Sequence, residues 1–397
     1  MSATARLGDR SLFPLLESRA YLNHAGVSPP SGPVREAVAE AVDAFARRGG
    51  AAMGEAVARR RRLKEKLAQL LGARPEDLAL TQGTSAGIVA VALCYPWRRG
   101  DRIVLFEGEF PANVTPWQRA AALFGLEAVL LPLAPFERSD AEGLASLEVE
   151  LARGVRLVAV SAVQFRTGLA MPLREMAALC ASHGAELAVD AVQALGAVPL
   201  DVSALGVDYL AGGAHKWLMG LSGAGLLYVR PGRAGALRPA VAGWLSHEQP
   251  ARFLTDGPGH LRYDRPIRTR ADLVEAGGGS ELSVAALEPS VDLIASLGVP
   301  DIHAHVNRCL DRLEPELCAR GFASLRAPEP ERRSGILSAI PPRGVDVVRL
   351  YRALGERGIA SAIPDGLLRF SPHWPNDPAE SDEVARALDA ALAQARA

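Results

Sequence analysis

Three short segments carry side chains whose types and order could do chemistry on a small molecule. The first, Gln82-Gly83-Thr84-Ser85-Ala86-Gly87, follows the apolar run LALT (78–81) and opens an apolar helical stretch. Glycine flexibility, two hydroxyls and free N–H groups at a helix N-terminus would cradle a phosphate, although a capped helix alone has the same pattern. The second, Glu186-Leu187-Ala188-Val189-Asp190, is an apolar strand that ends in a carboxylate. A buried aspartate is costly without compensation, so Asp190 either caps the next segment or faces something positive, such as a protonated pyridine nitrogen. The third, Gly212-Gly213-Ala214-His215-Lys216-Trp217, sets a lysine after an apolar strand, among residues small enough to admit a ligand close to the backbone. Burial that weakens an amine's hold on its proton is what Schiff-base chemistry requires. A partly buried lysine in an ion pair is the plainer alternative for Lys216. Together, and in this order, the three segments point to one site.

Such residues need a scaffold, and the patterning supplies one. From about residue 78, short apolar runs alternate with helical patterns: LALT, RIVLF (102–106), EAVLLPL (127–133), VRLVAVSAV (155–163), ELAVD (186–190), DYLAGG (208–213) and GLLYV (225–229). That alternation predicts an α/β fold with a mostly parallel sheet wrapped by helices such as PLREMAALCASHG (172–184), with Pro172 in its first turn and Gly184 at its C-terminal end. After the Gly/Pro/Arg-rich stretch at 256–279 the pattern changes to long helices (281–297, 301–319, 344–357, 379–395) and two strand-like runs, GILSAI and GLLRFS. The expected organisation is an N-terminal arm (1–20), a large domain (21–265) and a smaller α+β C-terminal domain (266–397). Open α/β sheets bind ligands beyond the carboxyl ends of their strands, where all three segments fall.

Composition narrows the partner. Lys plus Arg (44) nearly balance Asp plus Glu (45) over 397 residues, for a net charge of -1, which gives no bulk electrostatic reason to expect nucleic acid or an anionic membrane. The opening MSATARLGDRSLFPLLESRA has scattered charges and no apolar core, and no later stretch reaches membrane-spanning length, so a cytoplasmic protein with a small-molecule partner is expected. Cys94, Cys180, Cys309 and Cys318 lie in helix-like segments, with no CxxC pair and no histidine at metal-ligand spacing, and read as reduced thiols. No metal site is expected.

Read together, these motifs resemble the class V aminotransferase-fold enzymes that use pyridoxal 5′-phosphate (PLP), in the branch of cysteine desulfurases, selenocysteine lyases and isopenicillin N epimerase-like proteins. The resemblance runs from about Tyr21 to near the C-terminus and implies fold type I: a seven-stranded, mostly parallel sheet in the large domain. It implies a Schiff base on Lys216, phosphate contacts from Gly83, Thr84, Ser85 and His215, and Asp190 on the pyridinium nitrogen. Asp190-Ala191-Val192-Gln193 resembles the family's Asp-Gly-Ala-Gln, placing Val192 on a ring face and Gln193 at the phenolic oxygen. Tyr21-Leu22-Asn23-His24-Ala25-Gly26 resembles the opening strand and turn, with Asn23 and His24 near the substrate. Arg369-Phe370-Ser371-Pro372-His373 resembles the closing strand whose arginine forks onto the substrate carboxylate, against the alternative of a surface salt bridge. The resemblance also implies a homodimer.

Four departures bear on the reaction. Phe110, in Glu109-Phe110-Pro111-Ala112-Asn113, stands where desulfurases have a histidine, and a phenyl ring can stack but cannot move protons. Val163-Gln164-Phe165 stands where a Ser-Asn pair is usual, with Gln164 expected to take over that polar duty near the ring or the carboxylate. Gly213 replaces a serine that usually donates to the phosphate, and Gly277-Gly278-Gly279-Ser280 lacks the threonine that reaches the partner's phosphate. The loop Gly358–Gly366 has no cysteine, which argues against persulfide-forming desulfuration. The common chemistry is attack on Cα of an α-amino acid: β-elimination of the carbon–sulfur lyase kind is preferred, and transamination and epimerisation are alternatives. A non-catalytic PLP-binding protein would carry an added DNA-binding module or lack the lysine, and neither is seen. A dinucleotide-dependent oxidoreductase would need a G-x-G-x-x-G after the first core strand, and that is missing.

Overall fold

The computed structural model describes residues 5–396. Seven strands form the central sheet: β1 (Leu78–Thr81), β2 (Arg102–Phe106), β3 (Glu127–Leu131), β4 (Val155–Ser161), β5 (Glu186–Asp190), β6 (Tyr209–Gly213) and β7 (Gly225–Val229). Their spatial order is β1-β7-β6-β5-β4-β2-β3. Only β7 runs against its neighbours; the other pairings are parallel. The strands read as unbroken apolar runs because both faces are covered: Val158 and Val160 pack into one apolar layer, Leu157 and Ala159 into the other. The mostly parallel seven-stranded sheet expected from the sequence is present.

Two strands stop before the ends of their apolar runs. β3 stops at Leu131 because Pro132 has no N–H to continue the ladder. β4 stops at Ser161, where the Ala162 N–H turns to the carbonyl of Asp190 and Val163 bridges to Ala170, so the 162–165 segment leaves the sheet at the edge that bears the site.

Helices α1 (Gly32–Arg48) and α2 (Met53–Leu71) precede the sheet, and patterning alone does not single them out. In α2 the basic run from Arg59 to Lys66 masks the period. α3 (Thr84–Cys94) packs so closely on β6 that a Cβ on Gly87 would lie 3.0 Å from the Ala211 Cβ. α4 (Leu173–Ser182) and α5 (Glu281–Leu297) follow, and α5 lies along α1 and α2. Its Glu288 pairs with Arg62 and Lys66 at 2.9 and 3.3 Å, which explains the basic run.

Beyond α5, α6 (Val299–Ala319), α7 (Val347–Glu356) and α8 (Glu380–Ala395) pack with a three-stranded antiparallel sheet of β8 (Ala323–Ser324), β9 (Leu337–Ile340) and β10 (Leu368–Phe370). Both ends of the chain meet there: Ala20–Tyr21 pairs in parallel with Ile359–Ala360, and Asn23 bridges to Ser371. No single helix among the described residues is long and apolar enough to cross a membrane.

A tight backbone approach joins β7 to the turn after β1. A Cβ on Gly225 would lie 2.4 Å from the Gly212 carbonyl oxygen and 2.7 Å from the Gly83 Cα. Gly225→Ala should therefore lower the thermal midpoint, at a cost of roughly 1–3 kcal/mol from overpacking. Thermal unfolding followed by circular dichroism checks this, and an unchanged midpoint would contradict the contact.

Candidate active site

A cleft of about 850 Å³ opens at the carboxyl ends of the central strands. The turn after β1 forms one wall. Gly83 holds φ at +145°, a value side-chain-bearing residues rarely adopt, and this lets α3 begin at Thr84. The Thr84 Oγ1 is buried without a hydrogen-bond partner among the described residues, and Ser85 lines the same wall. A Cβ on Gly213 would lie 3.0 Å from this hydroxyl and 3.3 Å from His215 Nδ1. The glycine that removes one expected phosphate donor thus brings two other polar groups together.

The floor is made by β5 and β6. Asp190 is buried and accepts one backbone hydrogen bond, from Val192 N at 2.9 Å. Burial raises its affinity for a proton, the Glu109 carboxylate adds to that, and Lys216 opposes it. Burial also depresses the Lys216 amine, whose proton is held less tightly near Arg369 and more tightly near Asp190. The lysine's own backbone is fixed from behind: its carbonyl accepts Ser28 Oγ at 2.6 Å, and the His215 carbonyl accepts Ser28 N at 2.8 Å. Lys216 Nζ stands 5.5 Å from the centre of the Phe110 ring.

Arg369 reaches in from β10. It is buried and forms no ion pair among the described residues; its Nη1 donates to the Phe165 carbonyl at 2.8 Å and its Nε has no partner. Burial depresses its pKa to about 10. A buried guanidinium without a carboxylate is incomplete until an anion arrives, and the salt-bridge alternative does not describe it.

Of the residues expected from the sequence, Gly83, Thr84, Ser85, Phe110, Asp190, Val192, Gln193, His215, Lys216 and Arg369 all line the cleft. Gln193 also ties its surroundings together, accepting from Trp217 Nε1 at 2.8 Å and donating to the Ala25 carbonyl at 3.1 Å.

Three expected residues do not line the cleft. Gln164 turns its amide to Glu109 at 3.1 Å and is buried away from the open space. His24 is buried behind the lysine, with its Nδ1 2.7 Å from Ser28 Oγ and its ring edge-on to His373. Asn23 lies under the turn at Gly26, where a Cβ would meet its amide at 2.7 Å. These residues support the walls rather than face the open space.

The motifs assign no role to the carboxylate of Glu109. It is buried and accepts from Ser161 N at 2.6 Å, from Ser161 Oγ and from Gln164 Nε2 at 3.1 Å. The signal was available, since Glu109 follows an apolar strand just as Asp190 ends one. No cysteine lines the cleft; the 358–366 loop contributes Ala362 and Pro364. Ser280 is committed to capping α5 through Ser283 N at 3.2 Å.

The aminotransferase class-V family model matches residues 20–363. The chain belongs to the class V aminotransferase family. Isopenicillin N epimerase of Streptomyces clavuligerus is 30% identical over 334 residues, covering 82% of this chain and 83% of the relative. The cysteine desulfurase of Escherichia coli K12 is 29% identical over 355 residues, covering 83% and 81%. Among solved structures, a cystine C–S lyase in complex with cysteine persulfide superposes with a TM-score of 0.85 at 24% identity, over 95% of this chain and 99% of that one, which is a likeness of fold.

The protein is therefore a PLP-dependent enzyme acting on amino acids. The cleft fits the cofactor, because it offers an orphaned Thr84 hydroxyl at a helix N-terminus, a buried carboxylate and a buried amine of weakened proton affinity.

Behind Lys216, His373 is buried between Trp217 O, 2.8 Å from Nε2, and Trp374 N, which donates to Nδ1 at 2.8 Å. Those partners hold the ring neutral, and burial pushes its pKa down to about 4. The unfolded chain binds this proton near 6.5, so the stability this histidine contributes is present above that pH and lost as pH falls toward 4. The thermal midpoint should fall steadily from pH 6.5 to 4.5, and less steeply in His373→Gln. Parallel slopes in the two proteins would contradict the assignment.

Proposed function

We propose that the enzyme removes the Cα proton of an α-amino acid with Lys216 as its single base and then expels a β-substituent that leaves as an anion, in the manner of a carbon–sulfur lyase. The observation that carries this reading is the cleft's polarity. Lys216 faces Phe110, which has no proton to give, and the thiol-bearing position of a desulfurase is occupied by a loop with Ala362 and Pro364. Epimerisation needs a proton donor on the second face of Cα, and the Phe110 and Phe165 pair, 5.3 Å apart edge to face, offers none. A sulfur anion of low basicity leaves without an acid to help it. The cystine C–S lyase, as its name states, acts on a bond of this kind.

In this scheme Arg369 takes the substrate carboxylate through its unfilled guanidinium edge, which orients Cα toward the lysine. Asp190 would hold the ring nitrogen, His215, Thr84 and Ser85 would hold the phosphate, and Val192 and Phe110 would confine the ring. The cofactor supplies the electron sink for the pair left at Cα. The Cα proton passes to Lys216, the C–S bond breaks with its electrons on sulfur, and water converts the remaining enamine to pyruvate and ammonia.

Purified protein given S-substituted cysteines or cystine should release pyruvate and ammonia over many turnovers. Lys216→Ala should lose both the visible absorbance and this activity. Accumulation of pyridoxamine phosphate with a 2-oxo acid, or racemised substrate, would replace the lyase reading with one of its alternatives.

We also infer a homodimer. Trp244, Leu254, Leu261 and Tyr263 are exposed on the 239–267 segment, beside a second cleft lined by Arg60 and Gly277–Gly279 that shares Gln82 and Gly223 with the first. Sedimentation should give twice the chain mass, and a monomer at micromolar concentration would overturn this.

A further inference from the structure

Four adjacent strands bring four residues into a row at the carboxyl edge of the sheet. Glu109 follows β2, Ser161 ends β4, Asp190 ends β5 and Lys216 follows β6, in the sheet order β2-β4-β5-β6. Ser161 and Asp190 are register partners. Asp190 and Lys216 have the roles already argued. Glu109, at the far end, does not line the cleft and has no part in the chemistry so far.

Its carboxylate is buried and has no ion pair among the described residues. A buried carboxylate is expensive, and a role limited to hydrogen bonding could be filled by a neutral amide, as it is at Gln164 next to it. The groups facing Glu109 are Ser161, Gln164 and the Asn113 side chain, with Asp190 as the charged neighbour. The charged groups facing Asp190 are Glu109 and Lys216, and its remaining partner is the Val192 N–H. Two buried carboxylates thus stand next to each other with one buried amine on the cleft side. An arrangement of this kind is stable when a second positive charge enters beside Asp190.

We propose that Glu109 is a positioning residue that stands behind Asp190 as a second buried carboxylate and holds the ring-nitrogen proton of the bound cofactor in place. The same hydrogen bonds to Ser161 and Gln164 fix the backbone that carries Phe110 into the cleft. Glu109 acts through Asp190 and touches neither cofactor nor substrate. Like charge behind Asp190 raises the hold of the Asp190–ring nitrogen pair on its shared proton, so that this proton is not lost from the pair when electrons flow into the ring. The inference rests on PLP held at Lys216.

Glu109→Gln removes the charge while keeping the size of the side chain and an acceptor for Ser161 N. Burial raises the Glu109 pKa and the donors around it oppose that rise; Ser161→Ala removes one of those donors. The readout is the pH titration of the visible absorbance of the holoenzyme, with kcat and KM measured beside it. In Glu109→Gln the spectral midpoint should fall by roughly half a unit or more, and kcat by about tenfold, with KM nearly unchanged because Arg369 and Phe165 are untouched. Ser161→Ala should shift the midpoint the same way by less.

A wild-type midpoint and wild-type kcat in a folded Glu109→Gln holoenzyme would overturn the inference. So would loss of folding in both variants, since that would make the residue purely structural. A wild-type protein that takes up no PLP would instead remove the assignment of the cofactor itself.

Discussion

Asp190 and Lys216 are charges of opposite sign that the sheet keeps out of water at the ends of neighbouring strands. Neither has its full complement of partners in the polypeptide. Asp190 receives one backbone N–H, and the amine faces a phenyl ring. Keeping them there requires a rigid support, since either side chain would be more stable in solvent. The sheet gives that support because both of its faces are filled with apolar side chains, so β5 and β6 cannot relax toward water.

The support extends to segments remote in the chain. Ser28 fixes the backbone carbonyls of both His215 and Lys216, and Gln193 spans from Trp217 to Ala25. His373 holds the Trp217 carbonyl from the other side. Lys216 is thus clamped between segments from near the two ends of the described chain. Arg369 comes to the same cleft on a separate sheet and brings a positive charge that has no ion pair among the described residues. One wall is complementary to a phosphate, the floor to a cationic ring and the far side to a carboxylate, so the electrostatics describe a cofactor and an amino acid together.

Much of this was legible in the sequence. Each of the seven apolar runs became a strand, and Asp190, Lys216 and Arg369 line one cleft as expected. The misplacements share a cause. Gln164, Asn23 and His24 lie within matching motifs, but motif position does not tell which way a side chain turns. Gln164 turns to Glu109 because a buried carboxylate there needs donors, and His24 turns to Ser28 because the backbone behind Lys216 needs a brace. Beyond its place after an apolar strand, Glu109 carries no motif signal of its own, because its partners Ser161 and Gln164 lie more than fifty residues away and only the folded chain brings them to it. α1 and α2 escaped notice because the basic residues of α2 face Glu275 and Glu288, an arrangement that only the folded chain reveals.

The parallel pairing of Ala20–Tyr21 with Ile359–Ala360 has a temporal side. During synthesis the sheet with its phosphate turn, aspartate and lysine is complete well before residue 359 leaves the ribosome, whereas the arginine and the brace behind the lysine are not. A chain folded only that far would present Thr84, Asp190 and Lys216 to the cleft without Arg369. Closing these two segments on each other is the step that brings Arg369 to the cleft that the sheet already lines.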